Sequence, residues 1–172
     1  MMQTDSTKTP AGPLSAATLE RFAREVAKFP ADKAQSAVMA CLAIVQQEDG
    51  WVSREREDQI AAYLGMAPIA VYEVTTFYNM YNQQPVGRWK LNVCTNLPCQ
   101  LRDGQAALAH VCKKLGVEVG GTTPDGMFTV QQSECLGACA DSPVMLVNDR
   151  EMISFMSNER IDDLLATLAA AK

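Results

Sequence analysis

A chain of 172 residues with 48% apolar and 20% charged side chains has the composition of an ordinary folded protein, which excludes a disordered polymer and a fibrous repeat. Its 15 Lys and Arg against 20 Asp and Glu leave a formal charge of −5, the wrong sign for gripping phosphate backbones. The longest unbroken apolar run, Ala37 to Val45, is nine residues, about half of the roughly 20 that cross a bilayer as a helix. Neither a nucleic-acid partner nor direct membrane insertion is expected.

Residues 1–13 are rich in Thr, Ser, Pro and Gly without periodicity, so a disordered lead-in is expected there. Four helices should follow over 14–82. The first is capped by Ser15, carries Leu19, Phe22, Val26 and Phe29 on a stripe, and stops at Pro30. A second runs from about Asp32 to Asp49-Gly50 with Val38, Cys41, Leu42 and Val45 on one face. A third is capped by Ser53, with Ile60 and Leu64 inward and Gly65 at its end. Pro68 opens a fourth, which extends through Ile69, Tyr72 and Phe77 to about Tyr81.

At Gln83 the pattern changes. A linker over 83–88 contains Pro85 and Gly87, and Trp89 to Val93 then alternates as a strand. A helix is predicted from about Cys99 to Leu115, strand-like pieces at Val117–Val119, Phe128–Gln132, Val144–Val147 and Met152–Phe155, and a last helix from about Asn158. The order is close to βαβββα, which predicts a small α/β sandwich resembling thioredoxin over 89–172. The fold class is thus α+β in two parts, an N-terminal helical bundle followed by a thioredoxin-like α/β domain.

The N-terminus lacks an apolar signal core, so a reducing cytoplasm is the expected compartment and the six cysteines are read as metal ligands or core residues. Four of them form two pairs. Cys94 and Cys99 enclose four residues, Cys135 and Cys139 enclose three, and 35 residues separate the pairs. Cys94 ends a predicted strand and Cys99 follows Pro98 at a helix start, while Cys135 and Cys139 bracket a loop before another strand, so all four can meet on one rim of the sheet. Four thiolates suit zinc, a single iron or an iron–sulfur cluster. Single-ion sites usually use two-residue knuckles, and these wider loops favour a two-iron unit, with structural zinc as the competing reading. The chain's one histidine excludes a Rieske centre, which needs two. Such a dianionic site calls for dipoles. Gly137 and Ala138 are small enough to bring backbone N–H groups to sulfur, and the helix near Cys99 would point its positive end at a thiolate.

These motifs resemble a known family. GWVSREREDQIAAYLGMAPIAVYEVTTFYNMY (Gly50 to Tyr81), VCTNLPCQLRDG and ECLGAC are similar to the helical signature and cluster motifs of the thioredoxin-like [2Fe-2S] ferredoxin subunit of respiratory NADH:quinone oxidoreductase, complex I. The resemblance runs from about Leu14 to the C-terminus. It implies one [2Fe-2S] cluster on Cys94, Cys99, Cys135 and Cys139, which are both the cofactor-binding and the metal-ligating residues, and no catalytic residue. It further implies single-electron exchange with the flavin of a partner subunit that carries FMN and NADH, neighbouring peripheral-arm iron–sulfur subunits, and a cytoplasmic place at the inner membrane. In agreement, the chain has no G-x-G-x-x-G turn or Gly-Lys phosphate loop. The equivalent subunit of an NAD-linked hydrogenase or formate dehydrogenase shares these motifs, and a zinc-stabilised interaction module is the alternative of another class.

Plainer readings cover the rest. Cys41 and Cys112 lie on apolar helix faces and are assigned to the core. A dithiol oxidoreductase would need C-x-x-C, and Cys94-x-x-x-x-Cys99 is too wide. A helix-turn-helix reading of Ser53 to Tyr81 fails on charge, since Met66 to Asn82 holds no Lys or Arg. The aromatics Tyr72, Phe77, Tyr78 and Tyr81 are divided between core and a docking surface.

Overall fold

The computed structural model describes residues 12–171. The expected lead-in therefore lies almost wholly outside the described residues. The chain divides into two compact units, Met1–Pro85 and Val86–Lys172.

In the first unit Ser15 opens α1 (Ala16–Val26) by accepting the Thr18 N–H on its hydroxyl at 3.0 Å. The next helix begins later than the sequence suggests. After Pro30 no side chain caps the segment, and Lys33 leaves helical geometry, so Ala31–Ala37 closes as tight 3-10 turns before α2 (Val38–Asp49). Gly50, at φ 83°, turns the chain out of α2. Ser53 caps α3 (Arg54–Leu64), and Gly65, at φ 65°, ends it. Pro68 opens α4 (Pro68–Phe77), which stops four residues short of the expected Tyr81. Tyr78 is extended there, and Tyr81 folds back into the core with its hydroxyl donating to the Met39 carbonyl at 2.9 Å. Phe22, Leu42, Val45, Ile60 and Val71 form the buried centre, each side chain contributing about 1.5–3 kcal/mol by leaving water.

The second unit is a four-stranded sheet with helices packed on it. Its elements are β1 (Trp89–Cys94), α5 (Leu97–Gln100), α6 (Gly104–Leu115), β2 (Phe128–Ser133), β3 (Met145–Val147), β4 (Glu151–Ile153) and α7 (Asn158–Ala170). The strands lie in the order β2-β1-β3-β4, with β1 and β2 parallel and the other neighbours antiparallel. Leu91, Val93, Val130, Met145 and Val147 of the sheet pack with Leu108 and Val111 of α6 and with Ile161, Leu165 and Leu168 of α7. The α+β class and the βαβββα order agree with the sequence-based expectation.

Two details do not. The helix expected from Cys99 to Leu115 is broken, because Asp103 adopts the left-handed conformation (φ 67°) and separates the single turn α5 from α6. Val117–Val119 is not a strand. Gly116, at φ 67°, ends α6, and half-exposed Val119 leads into a turn at Gly120.

Candidate metal centre

Parallel pairing of β1 with β2 sets the site. Cys94 is the last residue of β1 and faces Ser133, the last of β2, so the loops that follow leave from the same rim. Cross-links hold these loops together. The Thr95 N–H donates to the Ser133 carbonyl at 3.1 Å, Gln132 Nε2 to Thr95 Oγ1 at 2.7 Å, and Asn96 Nδ2 to Glu134 Oε2 at 2.8 Å. The Cys94 N–H reaches across to the Val144 carbonyl at 3.1 Å. The two loops are thereby fixed relative to each other before any ligand is considered.

All four cysteines are free thiols on this rim. Cys94 and Cys99 are buried with Val144, flanked by Leu136, Ala138 and Met152, whereas Cys135 and Cys139 are exposed. The Sγ atoms of Cys135 and Cys139 are 3.8 Å apart. Two thiolates bound at about 2.3 Å to one tetrahedral ion lie roughly 3.8 Å from each other, so this pair is already spaced to share a metal. The distance is far too long for a disulfide, whose S–S bond is about 2.05 Å. Among the described residues, no group of three or more His, Cys, Asp or Glu gathers closely enough to hold an ion. The four donors are all sulfur, with Cys94 hydrogen-bonded to Cys99 and Cys135 beside Cys139. That donor set fits a two-iron cluster, in which each iron would take two thiolates.

Hydrogen bonds already aim at the sulfurs. The Gly137 N–H donates to Cys135 Sγ at 3.4 Å, with Gly137 at φ 78°, a conformation that disfavours any side chain. Burial pushes the Cys94 thiol up, and its hydrogen bond to Cys99 adds to this against the N–H groups of Asn96 and Leu136. Burial also acts upward on Cys99. The Ser142 hydroxyl, the Val144 N–H and the Cys94 thiol outweigh it and bring Cys99 below the ordinary thiol range. Cys139 is pushed up, first by its hydrogen bond to Cys135, then by slight burial and by the charges of Cys135 and Cys99. The cysteines of the two loops therefore influence one another electrostatically through sulfur.

Gly137 and Ala138 were the residues expected to direct N–H groups at sulfur. The structure gives the role to Gly137 and Leu136. Cys99 sits inside the four-residue α5, not at the start of a long helix, so the expected helix dipole is replaced by individual hydrogen bonds. Two supporting residues were missed. Ser142 is buried beside Cys99, and Gly104 presses its backbone so closely on the site that a Cβ there would lie 2.8 Å from the Cys99 carbonyl oxygen and 2.9 Å from that of Cys94. Gly104 closes the VCTNLPCQLRDG motif and was legible as a close approach, whereas Ser142 carries no spacing signal.

The other cysteines lie elsewhere. Cys41 is fully buried in the helical core, where burial pushes its thiol up to about 12. Cys112 packs against the sheet core, and burial raises its thiol as well. His110 pairs with Asp162 across α6 and α7 at 2.9 Å.

Comparison with known proteins places this arrangement. Residues 22–169 match the family model described as thioredoxin-like [2Fe-2S] ferredoxin. The chain is 40% identical over 146 residues to NADH-quinone oxidoreductase subunit 2 of Thermus thermophilus, covering 85% of this chain and 81% of that one. It is 39% identical over 153 residues to an NADH-quinone oxidoreductase subunit of Rhizobium meliloti, 89% of each chain being covered. Among solved structures, NAD+-reducing [NiFe]-hydrogenase in the H2-reduced state shares the fold, with a TM-score of 0.67 at 20% identity over 79% of this chain, which spans 22% of the hydrogenase chain. The family match extends across both units and takes in all four rim cysteines, and the chain belongs to the thioredoxin-like [2Fe-2S] ferredoxins.

Proposed function

We propose that this chain is an electron-transfer subunit of an NADH:quinone oxidoreductase, with one [2Fe-2S] cluster held by Cys94, Cys99, Cys135 and Cys139. The observation that carries the reading is the rim on which four free thiols stand as two pairs, in a chain about 40% identical to subunits of that enzyme. When bound, the cluster supplies a one-electron couple. The chain's own part is to hold the sulfurs, to shield Cys94 and Cys99 from water, and to place N–H donors where negative charge accumulates.

FMN and NADH are assigned to a partner subunit, and further iron–sulfur subunits to the same assembly. Among the described residues, no helix is long and apolar enough to cross a membrane. We place the chain on the cytoplasmic side, peripheral to the inner membrane through its partners. The cluster is assigned to the second unit and docking to the first, whose α4 exposes Ile69 and Phe77. The likeness to the hydrogenase supports the fold and leaves the partner enzyme to gene context. Membrane quinone-reductase genes beside this one support the proposal, and hydrogenase genes in their place would replace it. Iron and labile sulfide, each at two per chain after anaerobic purification, test the cluster. One zinc without sulfide would reject it.

A further inference from the structure

Ser142 lies between the two cysteine pairs and belongs to neither. It is 1% exposed. Its hydroxyl carries one proton and has two acceptors in reach, the Cys139 carbonyl at 2.6 Å and Cys99 Sγ at 3.4 Å. While Cys99 is a thiol, its S–H donates to Ser142 Oγ, and the serine proton goes to the carbonyl. As a cluster ligand Cys99 would carry no proton, so its sulfur would be a charged acceptor facing the buried Ser142 hydroxyl.

The Cys139 carbonyl does not lose its last partner if the hydroxyl turns, because the Ser142 N–H also donates to it at 3.4 Å. The backbone on both sides is fixed. The Phe155 N–H bonds the Asp141 carbonyl at 2.8 Å, the Met156 N–H bonds the Pro143 carbonyl at 3.0 Å, and Ser154 Oγ bonds the Asp141 carboxylate at 3.1 Å. Rotation about the Ser142 side chain is thus the response left to the hydroxyl.

We propose that the Ser142 hydroxyl is a redox-responsive hydrogen-bond donor to the Cys99 sulfur and a positioning residue that raises the reduction potential of the centre, an inference that rests on the ligand set proposed above. With the cluster bound, one electron from a one-electron donor such as reduced flavin or dithionite would take one iron from ferric to ferrous and make the centre more negative by one charge. No bond in the protein forms or breaks, and the proton stays on Oγ. A hydrogen bond to a charged acceptor strengthens as that charge grows, so the Ser142 donor favours the reduced form.

The test is a redox titration of the loaded full-length protein, followed by electron paramagnetic resonance, for the native chain, Ser142→Ala and Ser142→Thr. Ser142→Ala is expected to retain two iron and two sulfide and to shift the reduction equilibrium toward the oxidised form about tenfold, which is about 59 mV for one electron. Ser142→Thr, which keeps the hydroxyl, is expected within threefold of native. If Ser142→Ala does not load, Ser142→Gly takes its place in the same comparison. A loaded hydroxyl-free variant that titrates with native, or Thr and Ala variants shifted alike, overturns the inference while leaving the ligand set intact. Loss of the cluster from every Ser142 variant with the fold retained also overturns it, making the residue structural. A native protein without a paramagnetic two-iron centre sinks both the inference and the reading beneath it.

Discussion

Cys94 faces Ser133 at the end of the parallel β1–β2 ladder, so the loops carrying the remaining three cysteines start from one edge of the sheet. This register, not the local spacing of either cysteine pair, unites two segments that are 35 residues apart. A parallel neighbour requires a crossover, and α5 with α6 supplies it. Gly104, the first residue of α6, packs against the backbone of both Cys94 and Cys99.

Gly104→Ala tests this closeness. The added Cβ would meet backbone oxygens of Cys99 and Cys94 at 2.8 Å and 2.9 Å, and neither can give way as a flexible side chain would. The expected cost is about 1–3 kcal/mol by denaturant unfolding, together with reduced iron content. Native stability and full iron loading in the variant would show that α6 can shift off the site without consequence.

Cys41 provides the pH test. Burial, and secondarily the charge of Glu25, push its thiol from 9.0 up to about 12. An acid whose folded pKa is raised lends stability below its unfolded pKa, and that stability is lost as pH rises from 9.0 toward about 12. At pH 8, in the cluster-free protein, iodoacetamide should modify the exposed Cys135 and Cys139 well before Cys41, as read by peptide mass spectrometry. Labelling of Cys41 at the same rate would contradict its place in the core.

Phe77 tests the docking assignment. It is 80% exposed and stands edge-on to Tyr78, with ring centroids 5.0 Å apart. Phe77→Asp should leave stability within about 0.5 kcal/mol, as for other surface changes. Co-purification with the proposed flavin-bearing partner should fall at least tenfold. Unchanged co-purification would move the docking surface elsewhere.

The elements most readable from sequence are those whose ends carry their own chemistry. Ser15, Ser53 and Pro68 open helices, and Gly50 and Gly65 close them, as their types require. Breaks that depend on tertiary demand were not readable. Asp103 turns left-handed between α5 and α6, and Tyr81 leaves the helical path to reach the Met39 carbonyl. At the rim, the four sulfurs announced themselves through spacing and motif. Ser142 did not, because a buried serine 43 residues from Cys99 has no pattern in the chain, and only the return of β3 beside β1 brings it there.

The most direct measurement is electron paramagnetic resonance of the dithionite-reduced protein with iron and sulfide assays, comparing native, Cys139→Ala and Cys112→Ser. The account predicts a two-iron signal in the native chain and in Cys112→Ser, and its loss in Cys139→Ala. A native signal surviving unchanged in Cys139→Ala, or a colourless native protein carrying zinc alone, would contradict it.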